Sequence, residues 1–363
     1  MISGLTMVDD FTGGGGGGGG KVEGGKFERG TQPQDTLPVV PFQSTSAAAL
    51  EAGQANEKPE FANTIVRVRS AIRAPAGEAL GSMILVLFGL SVQCQVMLSK
   101  NPGVAPAQAG EFLSIGFGWG TGLALGVWLT GGASGGHISP VVTIAMAIFR
   151  GFSWRRVPVY ILAQLFGAWF GAIIVYANYF HAIDIVEGGQ GVRTIAGTAG
   201  LFALYTPEYV PAANAFFNEF LCSFLLMIAV FSVTDNSGGA LPLGLAPMIL
   251  FIVVLTISQG FGLQTGAGIS PARDLGPRIM TSMVGYGQDG AFAWLILLRD
   301  SDRGALHAVF NYRDQFWLWC MQAGPLAGGL IGAIVYDLLI FVGPQSPFNK
   351  PCVSSSPLTS LSR

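Results

Sequence analysis

The sequence predicts an all-α membrane protein with six transmembrane helices and two half-helices, built as an inverted repeat. Three observations predict it. Of the 363 residues, 50% are hydrophobic and 11% are charged, where a soluble domain carries about 25% charged residues. The apolar residues gather into six long segments. One short motif occurs twice, 131 residues apart (270 − 139), near the middle of each half. The first copy is Ser139-Pro140-Val141 after Gly135-Gly136-His137-Ile138. The second is Ser270-Pro271-Ala272 after Gly266-Ala267-Gly268-Ile269.

Residues 1–70 read as a disordered tail. They include eight consecutive glycines, Gly13 to Gly20, and a polar Gln/Asn/Glu/Pro-rich stretch. Such a segment buries too little apolar surface to offset its ordering entropy. A channel-sized apolar domain follows over 71–343, with a first half at 71–205 and a second at 213–343. A short C-terminal tail, 344–363, completes the chain. No signal peptide is visible in the polar N-terminus, so the first apolar segment is expected to serve as the targeting signal.

The six long segments lie near 72–99, 111–131, 156–180, 213–234, 241–260 and 314–342. Each approaches or exceeds the ~20 residues a helix needs to cross a bilayer core. Two shorter stretches, 139–150 and 270–282, reach about half that thickness at ~1.5 Å per residue. The halves match in order: helix, helix, half-helix, helix. Glu78 opens the first segment and Glu219 the fourth. Gly167 and Gly171 in the third are paired with Gly324 and Gly328 in the sixth. Three crossings per half make the halves face opposite ways.

Arg67, Arg69 and Arg73 precede the first segment, and Arg150, Arg155 and Arg156 follow the first half-helix. Positive charge near short loops favours the cytoplasmic side. Arg299, Arg303 and Arg313, on the other side, dilute that signal. The connection over 283–313 is expected to be an excursion on the outer surface. A net charge of −2 gives no reason to expect a nucleic-acid partner. Cys94, Cys222 and Cys320 lie in apolar runs and Cys352 in the tail, which reads as buried thiols and no disulfide framework.

Serine is a preferred N-cap and proline suits the first helical position. Ser139-Pro140 and Ser270-Pro271 therefore each read as a helix start. The Gly-rich runs before them are not helical. Irregular backbone at membrane depth is tolerated where it is buried in protein or lines a watery cavity. The carbonyls of Gly135, Gly136, His137 and Ile138, and of Gly266, Ala267, Gly268 and Ile269, are thus candidates for a pore lining. Two half-helix N-termini would face each other near the midplane, each carrying roughly half a positive charge. Such a point repels cations and tolerates neutral solutes. Plain Gly-Ser-Pro turns beside ordinary buried helices are the simpler reading for one copy; two copies with matching flanks weigh against it.

Ser134-Gly135-Gly136-His137-Ile138-Ser139-Pro140-Val141-Val142-Thr143 resembles the first signature of the major intrinsic proteins, the aquaporins and glycerol facilitators. Gly268-Ile269-Ser270-Pro271-Ala272-Arg273-Asp274-Leu275-Gly276-Pro277-Arg278 resembles the second. The resemblance covers about 72–342, includes Glu78 and Glu219, and omits the tails. It implies the aquaporin fold, one pore per subunit, a homotetramer in a lipid bilayer, and no cofactor, metal or catalysis. It points to the aquaglyceroporin branch, hence to glycerol, water and other small neutral solutes, with the plasma membrane as the expected location.

Two features depart from that family. Asn-Pro-Ala is its usual motif; here both asparagines are serine and the first alanine is Val141. The family's asparagines donate hydrogen bonds to the passing solute. A serine hydroxyl is shorter and is able to turn back onto its own helix; at Ser270 the capped N–H would be that of Ala272 or Arg273. A wider central constriction is expected. The resemblance also places a selectivity filter at Trp119, Ser258, Ala267 and Arg273. Trp119 would offer an apolar wall and Arg273 hydrogen-bond donors. Alanine at 267, often phenylalanine in the bacterial glycerol channel, makes the filter broad. Asp274 is typical of the solute-conducting branch.

Simpler readings stand beside these. Trp119 also suits a core or a lipid-belt tryptophan. Arg273 is harder to set aside, because arginine inside a membrane is costly. Glu78 and Glu219 read as structural acceptors for loop N–H groups, and His137 as a loop anchor. The glycine pairs read as close helix packing. One rival function is an intramembrane serine protease, since Gly132-Ala133-Ser134-Gly135 matches a nucleophile pattern; His137, however, lies in the same loop, and the second motif copy is left unexplained. Another rival is a non-conducting junction or sensor protein.

Overall fold

The computed structural model describes residues 64–236, 242, 244–286, 309–310 and 312–349. Its α-helices are α1 (Thr64–Leu98), α2 (Phe112–Ser134), α3 (Pro140–Phe149), α4 (Val157–Glu187), α5 (Ala212–Thr234), α6 (Leu245–Thr265), α7 (Pro271–Met283), α8 (Phe316–Trp319) and α9 (Ala323–Leu339). Among the described residues, six spans are long and apolar enough to cross a membrane: α1, α2, α4, α5, α6, and α8 with α9 together. This is a multi-pass membrane protein. The half-helices α3 and α7 have 10 and 13 residues.

The helix ends follow local chemistry. Pro140 and Pro271 occupy the first turns of α3 and α7, where a missing N–H costs nothing. Gly135, Gly188 and Gly266 end α2, α4 and α6 in the left-handed region, at φ of 93°, 80° and 87°, a conformation glycine adopts without a Cβ clash. The sixth span breaks between Trp319 and Ala323. Pro325 sits just inside α9 and disfavours a continuous helix through the turn before it. The first span starts at Thr64, earlier than the expected residue 72, so the end of the expected 1–70 tail is helical. The rest of that tail, residues 350–363 and most of the expected 283–313 excursion lie outside the described residues.

The duplication is written in the packing. Helix α1 packs on α2 and α4, and α5 packs on α6 and α9. Each half-helix reaches across to the other half, α3 against α9 and α7 against α4, while α2 meets α6 at the seam. Glycines set the tightest crossings. A Cβ on Gly167 would strike the carbonyl of Ala79, and one on Gly171 would lie 2.8 Å from that of Met83. On the other side, Gly328 meets the carbonyl of Phe220 and Gly332 that of Phe224, at 2.5 Å. Ala79 follows Glu78 and Phe220 follows Glu219. The equivalent pairs are therefore Gly167 with Gly328 and Gly171 with Gly332. This corrects the sequence pairing with Gly324 and Gly328 by one helical turn. The sequence offers several glycines at this spacing, and only contact with the facing helix picks the register.

Cys94, Cys222 and Cys320 are free and buried. Large apolar side chains such as Leu129, Leu162, Phe166 and Leu263 are exposed on the outer helix faces. Helices that are apolar inside and out suit a bilayer, where no polar face is needed.

Candidate solute passage

Two buried carboxylates build the passage. The Oε1 atom of Glu78 accepts hydrogen bonds from Ser134 Oγ (2.6 Å) and the His137 N–H (3.0 Å). Its Oε2 accepts from the Ile138 N–H (2.8 Å) and Gln164 Nε2 (2.7 Å). Glu219 repeats the pattern. Its Oε1 accepts from Thr265 Oγ1 and the Gly268 N–H (2.9 Å), and its Oε2 from the Ile269 N–H (3.0 Å). Both carboxylates are fully buried. Each spends its acceptors on loop donors that water would otherwise satisfy.

The loops they hold share one backbone shape. Gly135 and Gly136 have φ of 93° and 63°, and Gly266 and Ala267 have 87° and 49°. Ile138 and Ile269 sit at 55° and 59°. A β-branched residue at such φ is a genuine outlier, costing of order 1–3 kcal/mol. It recurs at the same place in both copies, so the surroundings impose it.

The loops and half-helix tips meet on one cavity of about 220 Å³. Its wall includes Gly135, Gly136, His137 and Ile138 from the first loop, and Ala267, Gly268 and Ile269 from the second. Ser139, Ser270 and Arg273 also lie on it. The remaining wall is almost wholly apolar, including Leu85, Leu123, Val142, Leu226, Leu250 and Val254. A few polar groups thus stand in an otherwise apolar wall.

Several expected residues stand elsewhere. Pro140, Val141, Pro271 and Ala272 are buried behind the wall; Val141 fills the space beside Gly329. Gly266 turns the chain against Leu204 and does not line the cavity. Ser258 is also off the wall. It is buried on α6 next to Gly116 of α2, while α6 contributes Ala246, Leu250 and Val254 to the wall. Family offset placed Ser258 correctly on α6, but the helix turns it toward its neighbour.

Neither motif serine caps its helix with its side chain. This overturns the expected turn of Ser270 back onto Ala272 or Arg273. The α7 start is closed by the main chain instead: the Arg273 N–H donates to the Ser270 carbonyl (3.0 Å). The Ser270 Oγ is buried and finds no hydrogen-bond partner among the described residues.

On the cavity wall Arg273 lies against Trp119, its guanidinium carbon 4.1 Å from the ring centroid. Arg273 also reaches the Phe202 carbonyl at 3.5 Å. The Trp119 indole N–H donates to Gln93 Oε1 (3.3 Å), and Gln93 Nε2 donates to the Gly200 carbonyl (2.9 Å). A side chain on Gly89 would strike the indole. Gln93 and Gly89 escaped the sequence reading. Both left a signal: an amide in an apolar span, and a glycine inside a helix.

Behind Arg273, Asp274 accepts from the Leu204 N–H (2.8 Å) and pairs with Arg278 at 2.9 Å. Arg278 donates to the Leu204 carbonyl (2.6 Å) and lies over Tyr205. Burial pushes the Tyr205 phenol up to about 12, so a neutral ring faces that cation. The α4–α5 connection is thereby fastened to the start of α7. It is fastened again by Arg193, whose Nη1 meets Asp184 at 2.8 Å and whose Nε donates to Tyr176 (2.8 Å). Burial disfavours the Arg193 charge, and these hydrogen bonds more than offset it, raising its pKa above the ordinary value.

Ser134 donates its hydroxyl to Glu78, and the His137 ring pairs through Nδ1 with Thr143 Oγ1 (3.2 Å). The His137 ring is thus tied to α3 through Thr143, and the Ser134 proton is spent on Glu78. Among the described residues, no group of three His, Cys, Asp or Glu side chains is placed to hold a metal ion.

The sequence profile of the family described as Major intrinsic protein matches residues 65–336. An aquaporin of Laccaria bicolor is 44% identical over 290 residues, 80% of this chain and 86% of its own. The aquaglycerol porin of Saccharomyces cerevisiae is 40% identical over 291 residues, 80% of this chain and 41% of its own. The X-ray structure of the aquaglyceroporin from Plasmodium falciparum superposes with a TM-score of 0.59 at 23% identity. It covers 74% of this chain and 96% of its own, a likeness of fold.

Proposed function

The chain belongs to the major intrinsic protein family, and we propose that it is a passive channel through which glycerol and other small uncharged solutes, water among them, run down their gradients. The single observation that carries this reading is the mixed polar and apolar wall. Loop residues, two serines and Arg273 share this wall with a lining that is otherwise almost wholly apolar. A polyol has the same division, with hydroxyls along one edge and CH groups along the other. The wall thus offers each part of such a solute a matching surface, with no cost for stranding a polar group. The yeast relative is by name an aquaglycerol porin, which supports the same substrate class.

The filter in this reading consists of Trp119, Ala267 and Arg273. Trp119 shields the CH edge, Arg273 donates to hydroxyl oxygens, and Ala267 leaves the opening broad. Ser139 and Ser270 mark the midpoint, where the N-termini of α3 and α7 present positive dipole ends. A cation about 4 Å from one unit positive charge is opposed by on the order of 4 kcal/mol at an effective dielectric of 20. That slows it by nearly ~1,000-fold, so cations and protons are excluded while neutral solutes pass. Nothing in the mechanism calls for a cofactor or a covalent step. A homotetramer in the plasma membrane is the assembly and location we infer.

Stopped-flow light scattering on proteoliposomes given a glycerol gradient tests the reading. Re-swelling well above that of protein-free vesicles supports a channel. Vesicles that behave as empty ones favour the junction or sensor alternative.

A further inference from the structure

We propose that the notch between the start of α1 and the start of α4 binds one anionic phospholipid, its phosphate held by Arg69 and Arg155 and an acyl chain laid on apolar side chains of the two helices. The site lies outside the passage and is independent of what the passage conducts. Ala79 and Met83 of α1 meet Gly167 and Gly171 of α4, so the contacts advance together and the two helices run parallel. Ile72, Val68 and Ile65 precede Ala79 by 7, 11 and 14 residues (79 − 72, 79 − 68, 79 − 65). Those steps are close to two, three and four turns at ~3.6 residues each. The three side chains therefore continue the α1 face that packs on α4, yet they are 53%, 54% and 72% exposed. Helix α4 begins only at Val157, and the loop before it carries Trp154 and Arg155. A packing face thus runs on past its partner.

Depth and charge decide what covers it. Helix α1 has 35 residues, about 52 Å at ~1.5 Å per residue, against a bilayer core of ~30 Å. Its first turns therefore reach the headgroup layer. Exposed Trp154 suits that layer, and exposed Val159 and Phe166 lead from it along the outer face of α4. Arg73 donates to the Gly132 carbonyl (3.0 Å) and the Tyr160 hydroxyl to the Ser134 carbonyl (2.9 Å). Both helix starts are thereby fastened to the end of α2, which brings their arginines to one place. Arg69 and Arg155 are exposed and make no ion pair among the described residues. Asp337 and Asp235 are already engaged, by Arg150 and Tyr336. A second copy of the notch would set arginine against arginine. A free phosphate would leave the apolar stripe bare. An anionic phospholipid answers both needs: its phosphate takes the guanidinium forks, and its chain covers the isoleucines and valine.

The test uses the full chain in phosphatidylcholine vesicles that carry either phosphatidylserine or phosphatidylcholine brominated near the top of one acyl chain. Bromine quenches tryptophan emission on contact, and the difference between wild type and Trp154→Phe isolates the signal of Trp154. Each arginine near an anionic headgroup is worth about fivefold. Half-maximal quenching by the serine lipid is therefore expected at roughly a 20-fold lower mole fraction than by the choline lipid. Arg69→Gln combined with Arg155→Gln, both at exposed positions, is expected to bring the two lipids together. Equal quenching by both lipids in wild type, or a preference kept in the double variant, overturns the proposal. Trp154 shielded from both lipids also overturns it and shows protein covering the notch. Relief of the quenching by soluble glycerophosphoserine would reveal a site for free anions, and the lipid assignment would fall.

Discussion

The guanidinium of Arg273 lies 4.1 Å from the centre of the Trp119 ring. The two residues are on different halves. They meet because Gly89 leaves room for the indole and Gln93 holds its N–H, while the Phe202 and Gly200 carbonyls hold the arginine and the glutamine. A desolvated cation over a tryptophan face is worth about 2 kcal/mol, enough to fix both side chains at the opening.

Trp119→Ala removes that wall. The expected outcome is a filter that admits four- and five-carbon polyols, with their permeability rising about tenfold relative to glycerol. Gly89→Val, which drives the indole out of its slot, is expected to lower glycerol flux by about the same factor. Light scattering with a series of polyols checks both.

The two buried carboxylates differ in how well they tolerate neutralisation. Gln164 Oε1 is buried without a partner among the described residues, and Gln164 already contacts Glu78. A glutamine at 78 is able to donate to that idle oxygen. Among the described residues, no such amide bonds to Glu219. Glu219→Gln is therefore expected to cost roughly 2 kcal/mol or more, and Glu78→Gln about half as much. Thermal midpoints of the detergent-solubilised protein order the two; the reverse order would show that Gln164 gives no relief.

The glycine register makes a paired prediction. Gly167→Val and Gly328→Val each force a side chain into a facing carbonyl, so both are expected to destabilise by about 3 kcal/mol and to abolish folded yield. Gly132→Ala, where a Cβ meets nothing within 4 Å, is expected to leave yield unchanged. Size-exclusion profiles after expression compare the three.

Much of this architecture was legible in the sequence, and the reasons are physical. Hydropathy and length gave six spans, because a bilayer permits few alternatives. Ser-Pro marked both half-helix starts to within a residue, because the missing proline N–H is harmless only there. Glu78 and Glu219 were readable as loop acceptors, because a carboxylate in an apolar span needs donors close by. What stayed hidden depends on facing helices. The glycine pairing was one turn off, the closeness of Ser258 to Gly116 of α2 was not foreseen, and Gln93 went unnoticed, since each is decided by contact between helices far apart in sequence. The serine hydroxyls were misjudged for a different reason. Capping is a local preference, and here the main chain closed the helix start without it.

The C-terminal end of α3 is held by an ion pair. Arg150 meets Asp337 at 2.7 Å, between the rings of Phe231 and Phe341. Asp337→Ala leaves a cation without its counter-charge and is expected to cost about 3–5 kcal/mol. The double change Arg150→Met with Asp337→Leu is expected to recover most of that loss. Chemical denaturation in mild detergent measures the cycle; a double variant as weak as Asp337→Ala would place the importance of the site in something other than uncompensated charge.

The account turns on Ser139 and Ser270 bordering one continuous conduit. The direct measurement starts from a protein with Cys94, Cys222, Cys320 and Cys352 replaced by alanine. A single cysteine is then introduced as Ser139→Cys or Ser270→Cys, and glycerol flux is followed before and after a small neutral thiol reagent. Loss of flux at both positions, reversed by reducing agent, is the predicted result. Full labelling at either position with flux untouched would contradict it.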